Sequence, residues 1–449
     1  MIRTLLDRMA DYGPAPALAW EGAEVSYTGL LERIAGWRQV FEAKIPKSSV
    51  VALVGDFSPD SVAALLALIE HRCIVVPITT AVGSQRAAFL DQAECEWVLD
   101  ALEGKSSLEG IDRTAGHSLL LKLKAIRHPG LVLFSSGSTG KSKAALHDFV
   151  PLLMKFEQPR AATRTLSFLL FDHIGGVNTM FHTLSSGGCL VTVSDRSPEG
   201  VCQAIERHRV EVLPTSPSFL NLLLLSAADR RHDLSSLKLI TYGTEVMPER
   251  TLQRLHEAFP WVALKQTYGL SELGIMRSKS REDGSLWVKV GGEGFETRVV
   301  DGKLEIKARS AMLGYLNAPS PFTADGWFQT DDAVEVDGDW IKILGRASEI
   351  INVGGQKVYP AEVESALLAV DGVVDVVVTG QRNDLLGQIV VARVLLSTDE
   401  TLAEFRVRAR RLLKERLEPF KIPQKIELVA HDLHGARFKK VRASSAAES

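Results

Sequence analysis

The chain of 449 residues has few cysteines and no long apolar run. Its four cysteines, Cys73, Cys95, Cys189 and Cys202, form no C-x-x-C pair, so the sequence indicates neither a disulfide framework nor a zinc site. No run of about 18 apolar residues appears, and the first residues lack the apolar core of a signal peptide. We therefore expect reduced thiols, no membrane span and a cytoplasmic location.

The sequence also lacks an excess of either charge. Lys and Arg number 52 against 55 for Asp and Glu, which gives a net charge of −3. This balance provides no overall attraction to nucleic acid or to an anionic membrane, so we expect neither as a partner. Hydrophobic residues make up 45% and charged residues 24%, which are ordinary values for globular proteins. The length exceeds what one core usually supports, so two or more domains are expected.

The spacing of apolar residues predicts an α/β fold. Helical periodicity over 28–44 and 61–70 alternates with apolar runs at 49–54 and 73–78, and this rhythm is typical of parallel sheets. It continues towards about residue 290.

The pattern changes in the last third of the chain. Short alternating segments separated by turns predict a small β-rich subdomain at about 291–345. Beyond Gly345 the pattern predicts a separate α+β unit. We therefore predict an N-terminal domain over 1–345 and a C-terminal domain over 346–449.

One loop carries the most specific chemical signal. Residues 131–134 are apolar, and a loop rich in glycine and hydroxyl groups follows, closed by Lys141 and Lys143. Such a loop can direct backbone N–H groups, hydroxyls and a positive charge at a phosphate. The loop residues are Ser135, Ser136, Gly137, Ser138, Thr139 and Gly140. Gly140-Lys141-Ser142 fits the end of a Walker P-loop, but Ser135 stands where that motif requires its first glycine. The loop also fits a plain turn between two apolar segments.

Four further segments, together with this loop, resemble motifs of the adenylate-forming enzymes. This superfamily comprises acyl- and aryl-CoA synthetases, adenylation domains of peptide synthetases and luciferases. The motifs occur in the family's order, which favours this resemblance over a Walker P-loop, although Ser142 and Ala144 replace the usual proline and glycine. The segments are 135–143, 266–272, 326–332, 345–364 and 433–443, with 302–306 and 314–316 fitting the motif between.

The resemblance implies an ATP site. The 135–143 loop and Lys143 would contact the triphosphate, and Glu272 would hold Mg²⁺. Tyr268 would stack on adenine, while Asp332 would accept hydrogen bonds from the ribose hydroxyls and Arg346 would reinforce that contact. The other nucleotide-binding residues that the resemblance implies are Gly243, Thr244, Glu245, Thr267, Gly269 and Ser271.

The resemblance also implies a mobile C-terminal domain that carries a catalytic lysine. The motif places this lysine at Lys440, but several of its neighbours are altered, so Lys439 or a merely basic tail stays open. Rotation about a hinge near 346–348 would bring Gly354 and Gly355 to the path of the attacking thiol. These two glycines fit a hairpin turn equally well.

The segment 169–176 resembles the one that opens the acyl pocket in this family. His173 would gate the carboxylate site, with a capping or core histidine as the alternative. Asp172 does not fall at the position where amino-acid activators bind the substrate ammonium, which favours an uncharged acyl or aryl chain. The other candidate pocket residues are Asn178, Phe181, Thr241, Thr267 and Ile275.

The resemblance implies a two-step ligase. ATP would activate a carboxylic acid to an acyl-adenylate with release of pyrophosphate, and the acyl group would pass to the thiol of coenzyme A. A ligase that loads the phosphopantetheine of a carrier protein and a catalytically impaired binding homologue are the alternatives. The sequence leaves the acid, the acceptor and the oligomeric state, including a homodimer, open.

Overall fold

The computed structural model describes residues 1–101, 106–136, 142–282, 284–430 and 433. The elements up to the phosphate loop and its returning strand are α1 (Ile2–Asp11), β1 (Pro16–Trp20), β2 (Ala23–Ser26), α2 (Tyr27–Lys44), β3 (Val50–Val54), α3 (Pro59–Glu70), β4 (Ile74–Ile78), α4 (Arg86–Gln92), β5 (Trp97–Asp100), β6 (Ser107–Gly110), α5 (Ser118–Ala125), β7 (Gly130–Ser136), β8 (Ser142–Asp148) and α6 (Phe149–Leu153). The next are β9 (Arg164–Ser167), α7 (Ile174–Ser185), β10 (Cys189–Thr192), α8 (Pro198–His208), β11 (Val212–Thr215), α9 (Pro217–Ser226), β12 (Leu239–Tyr242), α10 (Glu249–Ala258) and β13 (Ala263–Gln266).

The remaining elements form two smaller units. The first contains β14 (Gly269–Leu270), β15 (Gly274–Ile275), β16 (Arg277–Ser280), β17 (Trp287–Gly291), β18 (Phe295–Val300), β19 (Lys303–Ala308), β20 (Gly314–Tyr315), β21 (Phe328–Asp337) and β22 (Trp340–Arg346). The second contains β23 (Ile351–Val353), β24 (Gln356–Val358), α11 (Pro360–Leu368), β25 (Val373–Asn383), β26 (Gly387–Leu396), α12 (Leu402–Arg416) and β27 (Lys425–Leu428).

Two seven-stranded sheets form the body of the N-terminal part. Their strand orders are β13-β12-β11-β9-β10-β1-β2 and β20-β8-β7-β4-β3-β5-β6. Every residue of β3 and β4 is buried, which explains why both strands are continuous apolar runs rather than alternating ones. The expected α/β fold is confirmed.

A shared core joins the two sheets. It combines side chains of α1, α2, α3, α6 and α7 with inward-facing residues of β1, β3, β4 and β7. The opposite face of the first sheet packs against α8, α9 and α10, and that of the second against α4 and α5. Helices therefore cover both faces of each sheet.

A six-stranded antiparallel sheet follows, in the order β16-β17-β22-β21-β19-β18. It begins at Arg277, earlier than the change of pattern near residue 291 indicated. The reason is composition, because Arg277–Ser280 is entirely polar and shows no hydrophobic alternation that would predict a strand.

The C-terminal unit is α+β, as expected. Strands β23 to β27 form one sheet, and α11 and α12 pack on it around a core of its own. Thr401 and Glu404 form a capping box at the start of α12, which fixes where this basic helix begins. Asn221 Nδ2 of α9 donates to Val374 O at 3.0 Å and thereby links this unit to the N-terminal part. In the described parts of the chain, we find no helix with the length and apolarity that a bilayer crossing requires.

Candidate active site

The carboxyl ends of several strands meet at one edge and bring the predicted nucleotide residues together. Strands β12 and β13 are parallel neighbours, so the segments that follow Tyr242 and Gln266 lie side by side. A Cβ on Gly243 would lie 2.6 Å from Thr267 O, so only glycine permits this approach. Glu245 Oε2 accepts a hydrogen bond from Ser218 Oγ at 2.5 Å, which fixes the end of the 243–245 segment.

Glu272 connects this edge to the phosphate loop. Its Oε1 accepts hydrogen bonds from Ser135 Oγ at 3.3 Å and from the Tyr315 hydroxyl at 2.7 Å. Lys143 Nζ lies 5.3 Å from the centre of the Tyr315 ring, a cation–π distance. Burial, with Glu272 as a further cause, raises the pKa of Tyr315, so the phenol stays a hydrogen-bond donor. A cation, a carboxylate and two hydroxyls thus meet at the start of the loop.

His147 of β8 positions the segment that contains Glu272. Its side chain is buried, and Nε2 lies 2.6 Å from Ser271 O, so Nε2 must donate to that carbonyl. Burial lowers the pKa of His147, which favours the neutral ring. No motif of the sequence predicts a role for His147, because a histidine inside a buried strand carries no local signal of its partner. Tyr315 was inside a matched segment but was also given no role.

A second cluster joins Asp332, Tyr268 and Arg346. Asp332 is 6% exposed, and its Oδ2 accepts a short hydrogen bond from the Tyr268 hydroxyl. Arg346 Nε lies 3.0 Å from Asp332 Oδ1. Burial raises the pKa of Asp332, while the Arg346 guanidinium and the Tyr268 hydroxyl oppose that rise. Asp332 and Tyr268, which were predicted to bind ribose and adenine, are therefore hydrogen-bonded to each other.

The same contacts restrict what Tyr268 can do. Its ring is 6% exposed and packs in the core of the six-stranded sheet region. Stacking of this ring on adenine stays a prediction. The observed role of Tyr268 is to hold Asp332 in place opposite Arg346.

His173 is the N-cap of α7. Its Nδ1 accepts a hydrogen bond from Gly175 N at 3.0 Å, which is the capping role considered as the alternative. Gating of the carboxylate site by His173 stays a prediction. The neighbouring Asp172 is 5% exposed and accepts a hydrogen bond from Thr79 Oγ1 at 3.1 Å. That contact directs Asp172 into the protein.

The candidate pocket residues divide into two groups. Phe181 is 1% exposed and its ring packs between Phe149 and Phe156, so it belongs to the core. Asn178, Thr241, Thr267 and Ile275 are only partly buried.

The structure describes the residues of the predicted hinge and of the glycine pair. Ser348 lies in a short 3₁₀ turn, Ala347–Glu349, and its backbone N donates to Asp331 Oδ2 at 3.1 Å. Gly354 and Gly355 form the two-residue turn between β23 and β24, both with positive φ, at +58° and +86°. The hairpin interpretation is thus present, and a role beside the thiol path stays a prediction.

Several predicted residues lie outside what the structure describes. They are Gly137, Ser138, Thr139 and Gly140 of the loop, with Lys141, and both candidate lysines Lys439 and Lys440. Ser136 is described only as the last residue of β7, where it pairs with Ser142. Their roles stay predictions from the sequence.

Comparison with known proteins decides the family. The pattern of the AMP-binding enzyme family matches residues 5–316, and that of the AMP-binding enzyme C-terminal domain matches residues 362–438. The chain belongs to the AMP-binding enzyme family. The expectation drawn from the five motifs is confirmed.

Relatives and a solved structure agree with this assignment. Indoleacetate–CoA ligase of Aromatoleum aromaticum is 26% identical, over 94% of this chain and 92% of that protein. A (methyl-dioxo-octahydroindenyl)propanoyl:CoA ligase of Rhodococcus jostii is 28% identical, over 66% of this chain but only 61% of that protein. The crystal structure of an anthranilate CoA ligase with anthranoyl-AMP superposes with a TM-score of 0.82, at 20% identity, over 97% of this chain and 95% of that one. The last comparison establishes the shared fold.

Proposed function

We propose that this enzyme activates a carboxylic acid with ATP, releases pyrophosphate, and transfers the acyl group to the thiol of coenzyme A. The observation that carries the proposal is the contact of Glu272 with both Ser135 and Tyr315. It joins the start of the phosphate loop to the segment beside the predicted base site. A nucleotide triphosphate bound along this line would have its phosphates at Lys143 and its ribose at Asp332.

Charge neutralisation is the main chemical task of such a site. A carboxylate and a triphosphate must approach each other, so positive charge is needed at the phosphates. Lys143 lies on the Tyr315 ring close to Glu272 and supplies one such charge. The hydrogen bonds from Ser135 and Tyr315 both go to Oε1 of Glu272, so among the described residues Oε2 has no protein donor. Glu272 therefore fits a hard cation such as Mg²⁺, which would draw charge from the phosphates when bound.

Asp332 and Arg346 form the part of the site where we expect the ribose to bind. Asp332 has two carboxylate oxygens directed by Tyr268 and Arg346, and a carboxylate is an acceptor-only group that suits a diol. Arg346 also donates to Thr330 O at 2.6 Å, so its position does not depend on Asp332 alone. We infer that this cluster orients the α-phosphate towards the acid.

Coenzyme A is the acceptor that we favour. The indoleacetate relative, which aligns over nearly its whole length, is a CoA ligase by name. Loading of a carrier protein is the second candidate, because α12 presents exposed basic residues that an acidic carrier could contact. Its positive face suits the phosphates of coenzyme A equally well.

The test uses purified enzyme, ATP, Mg²⁺ and a panel of aliphatic and aromatic acids. Acid-dependent pyrophosphate release supports adenylation, and a catalytically impaired homologue would show none with any acid. Coenzyme A and a phosphopantetheinylated carrier protein are then compared as acceptors by mass spectrometry of the thioester. Thioester formed only on the carrier would overturn the choice of coenzyme A while leaving adenylation intact.

A further inference from the structure

A cluster of basic side chains lies where the turn after α6 packs on α7. Phe156 of the 3₁₀ turn Met154–Phe156 stacks on Phe181 of α7, with ring centres 5.7 Å apart. Lys155 precedes Phe156 and His182 follows Phe181, and Lys155 lies near enough for its charge to contribute to the lowered pKa of His182. Lys155 Nζ crosses to the neighbouring hairpin and donates to Ile275 O of β15 at 3.1 Å.

One face of α7 is only partly buried, and it runs from His173 at the predicted carboxylate site to this cluster. Every residue of α7 is buried except Asn178 and His182, which are four positions apart and so share one face. The helix packs against β15, which contains the candidate pocket residue Ile275. From His173 to His182 the helix rises about 13 Å, the length of a short aryl or acyl chain. A substrate lying along this face would have its far end at Lys155.

In the described parts of the chain, no acidic group contributes to the electrostatics of Lys155 or His182. The charges that act on both side chains are all positive. Burial lowers the pKa of Lys155 to about 7, with Arg160 as a further cause. Burial also lowers the pKa of His182 to about 4, and the charges that add to this shift are all cations, from Arg160, Lys155 and Lys265.

Such an arrangement is costly without a ligand. An ammonium group has three N–H donors. Among the described residues, Lys155 Nζ donates to one neutral carbonyl and lies 5.1 Å from the centre of the Phe156 ring, and neither contact carries a negative charge. Leaving a partly buried cation without a counter-charge lowers stability, because desolvation is not offset by an ion pair. An anionic group placed between Lys155 and His182 would supply both the missing charge and the missing acceptors.

We propose that the pocket takes a carboxylic acid bearing a second, distal carboxylate, which Lys155 and the adjoining basic residues bind at the far end of α7. This inference rests on the proposed function, since it concerns the acid that is adenylated. It changes the expectation of an uncharged chain. The sequence separates Lys155 from Ile275 by 120 positions, and no pattern relates them.

The test compares three acids with one scaffold: phenylbutanoate, its para-carbamoyl derivative and its para-carboxy derivative. The two derivatives have nearly the same shape and differ in charge. The measured quantity is kcat/KM for acid-dependent pyrophosphate release by the full chain. We expect the para-carboxy acid to exceed the para-carbamoyl acid by about tenfold or more, as a charge-assisted contact predicts. Lys155→Met should bring this ratio close to one, and Lys155→Arg should keep most of it.

The ratio is measured within one preparation, so a partial loss of folded enzyme cancels. Lys122→Met changes an exposed lysine of α5 and serves as the matched control, which should keep the wild-type ratio. A wild-type ratio near one, or an unchanged ratio in Lys155→Met, would overturn this inference alone. Pyrophosphate release with acids of the wider panel but with none of these three would also overturn this inference alone. No release with any acid of either set would overturn the proposed function as well.

Discussion

The Tyr315 hydroxyl donates a 2.7 Å hydrogen bond to Glu272 Oε1. These residues lie 43 positions apart, in β20 and in the turn between β14 and β15. The bond holds the carboxylate next to the phosphate loop. If Glu272 binds the cation that accompanies the triphosphate, this bond decides where that cation sits.

Removing the charge of Glu272 should impair adenylation strongly. We expect Glu272→Gln to lower kcat/KM for pyrophosphate release by about 100-fold and to raise the Mg²⁺ concentration needed for half-maximal rate. Tyr315→Phe, which removes only the hydrogen bond, should cost about tenfold. The control is Glu293→Gln at an exposed position. An unchanged Mg²⁺ requirement in Glu272→Gln would show that this carboxylate does not hold the cation.

The effect of replacing Asp332 should depend on the sugar of the nucleotide. Asp332→Asn should raise KM for ATP by about tenfold or more, because a carboxylate acceptor is lost from the ribose contact. With dideoxy-ATP, which lacks both hydroxyls, the same variant should differ little from wild type. Steady-state kinetics with both nucleotides measures this, and Asp339→Asn at the surface is the control. An equal penalty for the two nucleotides would contradict the ribose contact.

The lysine that the resemblance predicts to be catalytic, Lys440, should serve only the first half-reaction. We expect Lys440→Ala to abolish carboxylate-dependent exchange of pyrophosphate into ATP, because the cation that would bridge carboxylate and α-phosphate is lost. Thioester formation from a supplied acyl-adenylate should persist. Lys439→Ala is the matched neighbour and should retain exchange. Exchange lost in Lys439→Ala and retained in Lys440→Ala would move the assignment to Lys439.

His182 should lower the free energy of unfolding at acidic pH. Its pKa of about 4 in the folded chain lies below the unfolded value, so the unfolded chain binds the proton first as the pH falls from 7 to 5. The free energy of unfolding should therefore decrease over this range, and His182→Gln should remove about 2 kcal/mol of that decrease. Urea titrations at the two pH values measure it.

His232 provides a control of opposite sign. Hydrogen bonds to Glu206 and Glu199 raise the pKa of His232, so its contribution is fully present below the unfolded pKa and is lost as the pH rises. His232→Gln should therefore enlarge the decrease on acidification. Equal decreases in wild type and His182→Gln would contradict the buried, neutral state of His182.

Local patterns predicted much of the fold and part of the site. Continuous apolar runs identified β3 and β4, because strands buried on both faces have no polar alternation. Motif spacing selected Glu272, Asp332 and Arg346 as candidates, and the structure brings Asp332 and Arg346 into contact, while their roles towards ATP stay predictions. In both cases the signal lies within a few consecutive residues.

Contacts between distant segments could not be predicted in this way. His147 reaches Ser271 across 124 positions, and Lys155 reaches Ile275 across 120. Neither pair leaves a periodicity or a spacing in the sequence, since each depends on how two sheets and a hairpin pack. The strand Arg277–Ser280 was missed for a different reason, because it is polar throughout.

The most direct test of the proposed adenylation is to identify which bond of ATP breaks. Nucleotide products are separated by chromatography after reaction with an acid from the panel and coenzyme A, and compared with the thioester formed. If the enzyme forms an acyl-adenylate, AMP and pyrophosphate appear in equal amounts, both dependent on the acid and matched by the thioester. ADP and phosphate as the products would contradict it.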